Sequence, residues 1–144
     1  MKIFSFNVRG LCYKKQQIID LFNRNNIDIF CLQESHLLNL KDLQIIEQKT
    51  NSKIFYNSDN NKHGTCIMIK NSPHFQSIQQ ENSNILNFKN RMTHLIFKTN
   101  INIHLINIYA PVSAANSTLE RKEFFQNLHK YLGKFTKDEI ILCE

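Results

Sequence analysis

Apolar residues recur along the chain with two periods, and the changes between them predict the order of elements. Ile3 to Val8 is a short apolar run that predicts a buried strand, and Gly10 breaks it. Between Lys14 and Asn25 the residues Ile18, Leu21 and Phe22 fall on one face of a helical repeat, so a helix should follow. Ile27 to Leu32 reads as a second apolar strand, entered through Asn25 and Asn26 and left through Gln33, Glu34, Ser35 and His36. A strand, helix, strand crossover implies a parallel pair. Asn39 is placed to cap a second helix with Asp42 three residues on, and Leu40, Leu43 and Ile46 give that helix an inward stripe ending near Thr50.

The pattern then changes. Lys53 to Tyr56, Thr65 to Ile69, Phe75 to Ile78, Arg91 to Lys98 and Ile101 to Tyr109 are strand-like runs between polar turns, the pattern of an antiparallel meander. Helical spacing returns from Asn116 to Leu132. Ser117 and Glu120 have capping-box spacing there, Phe124, Leu128, Tyr131 and Leu132 share a face, and Gly133 is the expected stop. Ile140 to Cys143 opens another apolar strand, and the chain stops at Glu144, inside that signal. A strand buried on both faces wants neighbours on either side, so an incomplete fold is expected.

Composition narrows the class. The 144 residues, 42% of them hydrophobic and 21% charged, fit one globular domain at most and exclude a disordered tail. A formal net charge of +6 favours a polyanionic partner, although the basic residues are scattered and the tightest cluster is Lys14 with Lys15. Cys12, Cys31, Cys66 and Cys143 lie far apart with no Cys-x-x-Cys pair, so reduced, packed thiols are expected rather than zinc ligands or disulfides. Neither a signal peptide nor a membrane span is legible, which predicts an intracellular protein with no membrane partner and no evident obligate protein partner.

Candidate chemistry sits where apolar strands end. Asn7 precedes Val8, Gln33 and Glu34 follow Leu32, and Tyr109 follows Ile108. A carboxylate and an amide oxygen held together at neighbouring strand ends form a hard oxygen site suited to Mg²⁺. Taken alone, Glu34 reads equally as the first solvated residue after a strand, and Asn7 as a residue that satisfies backbone groups.

The three blocks Phe6 to Leu11, Cys31 to His36 and Asn107 to Pro111, in that order, resemble the first motifs of the endonuclease/exonuclease/phosphatase (deoxyribonuclease I-like) superfamily. The wording Gln33, Glu34, Ser35, His36 and Asn107, Ile108, Tyr109, Ala110, Pro111 is similar to the apurinic-like endonuclease domain of LINE-type (non-LTR) retrotransposons. His63 to Ile69 resembles that group's strand after its variable loop. The resemblance implies an α/β (α+β) fold, a four-layer sandwich of two mixed β-sheets flanked by helices. It makes residues 1–144 the N-terminal portion of a single such domain. It also implies that Glu34 is a ligand of a divalent metal, Mg²⁺ with Mn²⁺ as a substitute, that Asn7 serves metal and phosphate in the same site, and that Tyr109 orients or stabilises the scissile phosphate of DNA. Arg91 would reach the DNA backbone and His36 would sit behind the metal ligand, with an ordinary solvated arginine and a packing histidine as the plain readings of each.

The family's later Gly-Asp-Phe-Asn and Ser-Asp-His blocks are not in these residues, and Glu144 stands one position away from the missing aspartate. A one-residue shift on a strand turns a side chain to the other face, so no catalytic role is moved onto Glu144. The expectation is a Mg²⁺-dependent phosphodiesterase acting on DNA, retrotransposon-derived and nuclear, and inactive as these residues stand. An abasic-site repair endonuclease of the exonuclease III type and a non-catalytic remnant are the competing expectations.

Overall fold

The computed structural model describes residues 1–36, 38–58, 63–82, 88–112 and 118–144. The first half alternates as the apolar pattern requires: β1 (Ile3–Asn7), α1 (Lys15–Arg24), β2 (Ile29–Gln33), α2 (Leu40–Thr50), β3 (Ser52–Asn57) and β4 (Thr65–Lys70). The second half is β5 (Ile78–Glu81), β6 (Met92–Phe97), β7 (Ile103–Ile108), α3 (Thr118–Leu132) and β8 (Glu139–Cys143). The strands form two four-stranded mixed sheets, one in the order β1-β2-β4-β3 and the other β5-β6-β7-β8. β1 with β2 and β7 with β8 are parallel, and both pairs are joined through a helix; the remaining neighbours are antiparallel. The meander expected from the sequence is thus divided between two sheets.

Strand alternation explains the layering. On the first sheet Phe30, Leu32, Ile54, Cys66 and Met68 point outward and bury Ile18, Ile19 and Phe22 of α1 and Leu43 and Ile46 of α2. Their neighbours of opposite parity, Ile29, Cys31, Phe55, Ile67 and Ile69, point inward against Leu95, Phe97 and Leu105 of the second sheet. On the far side, Met92, Ile106 and Ile108 pack under Phe124, Leu128 and Tyr131 of α3. Four layers result, helices, sheet, sheet, helix, and each fully buried Phe, Leu or Ile contributes about 1.5–3 kcal/mol.

Two boundaries depart from the periodicity. Leu40 is 66% exposed, because it opens α2 beside a surface cleft bordered by Tyr13 and Leu38, and the stripe begins at Leu43. Pro73 starts a short 3₁₀ turn, Pro73–Phe75, with Ser72 accepting from the His74 amide, and this delays the strand expected at Phe75 to Ile78. The ring of Phe75 still packs, 5.9 Å from Phe97. α3 ends at Leu132, so Gly133 marks its stop as expected, and a 3₁₀ turn follows to Phe135. The Asn39 cap is as expected, accepting from the Lys41 amide, whereas the start at Asn116 and the Ser117 cap lie outside the described residues. β8 is an edge strand with Ile140 and Leu142 exposed.

None of the four cysteines is in a disulfide. A hydrogen bond with Cys143 and burial raise the Cys31 thiol, and burial raises Cys66, so these two behave as packed apolar groups. No helix among the described residues is long and apolar enough to cross a membrane.

Candidate active site

The C-terminal ends of β1, β2, β7 and β8 lie at one end of the sandwich, since β1 runs parallel to β2, β8 runs parallel to β7, and Gln33 of β2 bonds to Asn107 of β7. The inward-facing residues at that end are polar where the rest of the interlayer is apolar. Asn107 is fully buried, and its amide donates to the carbonyls of Leu32 and Cys66, both at 2.9 Å, so one side chain of the second sheet staples two strands of the first. Its Oδ1 accepts from Gln33 Nε2 at 2.6 Å, and the same Gln33 nitrogen donates to Ser5 Oγ at 2.9 Å. Thr93 Oγ1 donates to the Thr65 carbonyl at 2.9 Å, and the Thr65 hydroxyl then completes the pair at 2.7 Å. This polar floor fixes how β2 and β7 meet.

The loop after β2 is held on both sides. Val8, Gly10 and Leu11 donate their amides to the carbonyls of Gln33, Glu34 and Ser35, while Ser35 and His36 donate theirs to Gly64 and His63. Room for this comes from Gly64, at φ +105°, where a Cβ would stand 2.6 Å from Ser35 Oγ. Arg9, Glu34 and His36 all have positive φ, between 50° and 59°, an uncommon backbone region for such residues. Both segments that carry Asn7 and Glu34 thus turn through left-handed residues, as the chain also does at Asn26, Asn51, Lys89 and Asn90.

Glu34 is the centre of the arrangement. Asn7 Nδ2 donates to its Oε1 at 2.7 Å, and the Tyr109 hydroxyl donates to the same carboxylate. Burial pushes the Glu34 carboxyl up, but the bonds from Asn7 and Tyr109 and the charges of His36 and Arg9 outweigh it and hold it below its ordinary value. The Tyr109 phenol is raised by burial and by Glu34, against the opposing charges of Arg91 and Arg9. His36 Nε2 lies 3.8 Å from Glu34 Oε2, beyond a hydrogen bond. Asn7, Tyr109, Ser5, Phe6, Arg121 and Glu144 border a cleft of about 540 Å³, and the Glu144 carbonyl accepts from Ser5 Oγ at 3.0 Å.

Asn7, Glu34, Tyr109 and His36 are thus brought together from separate strand ends. Arg91 is not a solvated turn residue: its side chain is 10% exposed and lies against the ring of Tyr109. Asn107 and Gln33, which position the site, are named in the sequence blocks but were given no role there, although a lone Asn inside the run Ile103 to Ile108 was the available signal. His94 and His104 pair across β6 and β7 on the opposite face of the second sheet, in a chain from Tyr131 through His94 and His104 to Asp138 with links of 2.6, 2.9 and 3.0 Å.

A cation at this site would find few protein ligands, for among the described residues no three His, Cys, Asp or Glu side chains gather. The Glu34 carboxylate has acceptor capacity beyond its bonds to Asn7 and Tyr109, and with the Asn7 amide oxygen it makes a hard oxygen set. One carboxylate and one amide oxygen suit Mg²⁺, which keeps most of its waters, and do not suit a closed zinc site.

The model of the Endonuclease/Exonuclease/phosphatase family matches residues 4–136. Among solved structures, an AP endonuclease from Archaeoglobus fulgidus superposes with a TM-score of 0.71 at 20% identity, over 93% of this chain and 52% of its own. A 3′ phosphatase from Neisseria bound to a product DNA hairpin gives 0.70 at 17%, over 99% and 56%. An AP endonuclease from Leishmania major gives 0.67 at 19%, over 91% and 47%. The chain spans about half the length of these structures.

Proposed function

Because the chain belongs to the endonuclease/exonuclease/phosphatase family, we propose that its Glu34 site serves Mg²⁺-dependent cleavage of DNA phosphodiesters. One observation carries the reading: a carboxylate, an amide and a phenol from three strand ends in two sheets are joined by hydrogen bonds, and the amide and the phenol border an open cleft.

Glu34 and Asn7 would hold the metal, with Mn²⁺ as a substitute. The bound ion supplies charge neutralisation on the phosphate oxygens, without which a diester resists an anionic nucleophile. The chain's own groups do the rest of the work described here. Tyr109, whose hydroxyl already points at Glu34, exchanges that acceptor for a phosphate oxygen and fixes the scissile group. Asn7 orients the Glu34 carboxylate through its 2.7 Å bond, and the His36 ring stands 3.8 Å from the other carboxylate oxygen. The net charge of +6 draws in the polyanion.

Water activation needs a base, and among the described residues the cleft offers no histidine hydrogen-bonded to a carboxylate. His104 and Asp138 form such a pair, but beneath α3, on the far face of the sheet. The 144 residues by themselves are therefore proposed to bind DNA without nicking it. The wording of the Glu34 and Tyr109 blocks supports a retrotransposon-derived endonuclease, which would act in the nucleus. Supercoiled plasmid and an abasic oligonucleotide, each with Mg²⁺, test these points. Retained DNA binding without nicking is expected of this chain. Nicking that vanishes in Glu34→Ala would overturn the inactivity while supporting the site, and cleavage of the abasic substrate alone would favour the repair reading.

A further inference from the structure

Arg91 is a buried cation without a buried counter-ion. Its side chain is 10% exposed, while Glu120, the carboxylate paired with it among the described residues, is 54% exposed and 3.5 Å away. Such a charge is expensive to bury, and its geometry shows where it is directed.

The Arg91 amide donates to the Phe88 carbonyl at 2.8 Å, and its remaining contacts are with Tyr109 and His63. The Arg91 carbonyl accepts from the Tyr109 amide at 2.8 Å, one step past the last β6–β7 pair, Met92 with Ile108. Nη1 reaches back to the Tyr109 carbonyl at 3.4 Å, and the guanidinium carbon stands 5.3 Å from the centre of the Tyr109 ring. Nη2 lies 3.3 Å from His63 Nε2, and the His63 carbonyl accepts from His36, two residues from Glu34. Tyr109 sits one step past the last β6–β7 pair, and a swing of its side chain about the Cα–Cβ bond would carry the hydroxyl off Glu34. A planar cation that grips the main chain and covers the ring face opposes that swing; lysine has neither the fork nor the plane.

We propose that Arg91 is a positioning residue for Tyr109, holding the phenol on the Glu34 carboxylate and linking it through His63 to the Glu34 loop, and that it is not a DNA phosphate contact. The proposal rests on the reading of Tyr109 as the phosphate-orienting donor.

The test uses the whole chain labelled with ¹³C in its tyrosine rings. There are four tyrosines and no tryptophan, so four ring signals can be resolved and the Tyr109 signal assigned with Tyr109→Phe. In Arg91→Met the Tyr109 signal should move to the position of a freely rotating tyrosine while those of Tyr13, Tyr56 and Tyr131 stay, and Arg91→Lys should recover part of the shift. The slope of log affinity against log salt for a duplex probe should not change. An unmoved Tyr109 signal in both variants overturns the proposal; if the salt slope also falls by about one, Arg91 is a phosphate contact. Should Arg91→Met lose all four native signals, Arg91→Lys decides alone: a shift confined to Tyr109 supports the proposal and a native spectrum overturns it. The ring signal needs no catalysis, so failure of the nuclease reading, seen as DNA and metal binding indifferent to Tyr109→Phe and Glu34→Gln, is told apart from failure of this one.

Discussion

Replacing Asn107 with leucine should come close to unfolding the protein, although it exchanges one buried side chain for another of similar size. The substitution takes the Asn107 amide away from the carbonyls of Leu32 and Cys66, which it bonds at 2.9 Å each in a position with no access to water. Each of the three buried bonds lost, the 2.6 Å bond from Gln33 among them, costs about 0.5–1.5 kcal/mol. Together these amount to roughly 2–4 kcal/mol, against a total of about 5–15 kcal/mol for a typical domain. Urea unfolding followed by circular dichroism measures it, with Ser5→Ala as the control, since that hydroxyl is exposed. At about 1–3 kcal/mol per molar urea, Asn107→Leu should lower the midpoint by at least about 1 M or abolish the folded baseline, while Ser5→Ala should leave it nearly in place. A loss below about 1 kcal/mol in Asn107→Leu would refute the view that this amide joins the two sheets and thereby sets Glu34 beside Tyr109.

Other outcomes follow from the same contacts. Burial, with the charge of His104, lowers the His94 imidazole from its ordinary 6.5 to about 4. In the unfolded chain His94 takes up its proton near pH 6.5, so stability from this residue is complete above that pH and declines as pH falls toward 4, by about 3 kcal/mol in all; urea midpoints at pH 7.5, 5.5 and 4.5 check this, and a flat profile would contradict it. Gly64→Ala should destabilise by about 2 kcal/mol or more, because the new Cβ meets Ser35 Oγ at 2.6 Å and φ is +105°, whereas Gly133→Ala, with nothing within 4 Å, should be neutral or slightly stabilising; thermal melts of the two variants compare them. The exposed Phe4 and Phe6 on β1 and Ile140 and Leu142 on β8 should drive self-association, so Phe6→Lys with Leu142→Lys should raise the monomer fraction in sedimentation, and an unchanged distribution would refute this.

The apolar pattern carried most of the fold because each strand keeps a strict parity: Ile29 and Cys31 face one layer, Phe30 and Leu32 the other, and both layers are filled. It could not show that β4 and β6 belong to different sheets, since that choice is made by packing across the interlayer rather than by local alternation. Pro73 displaced an expected strand because a turn nucleated by proline and capped by Ser72 competes with an apolar run only four residues long. At the site, Asn7, Glu34 and Tyr109 were legible as polar residues closing apolar runs. Arg91 was not, since nothing in its neighbours distinguishes an arginine lying under a tyrosine ring from one in solvent. The roles of Gln33 and Asn107 depend on a bond between residues 74 positions apart, which no local pattern reveals.

The claim that Glu34 and Asn7 form a divalent-metal site is tested most directly by titrating Mn²⁺ into the ¹⁵N-labelled chain and following paramagnetic broadening of its amide signals. Saturable broadening centred on Asn7, Glu34, His36 and Tyr109, displaced by Mg²⁺ and absent in a folded Glu34→Gln variant, is the predicted result. Broadening that never saturates, that centres elsewhere, or that persists unchanged in Glu34→Gln would contradict it.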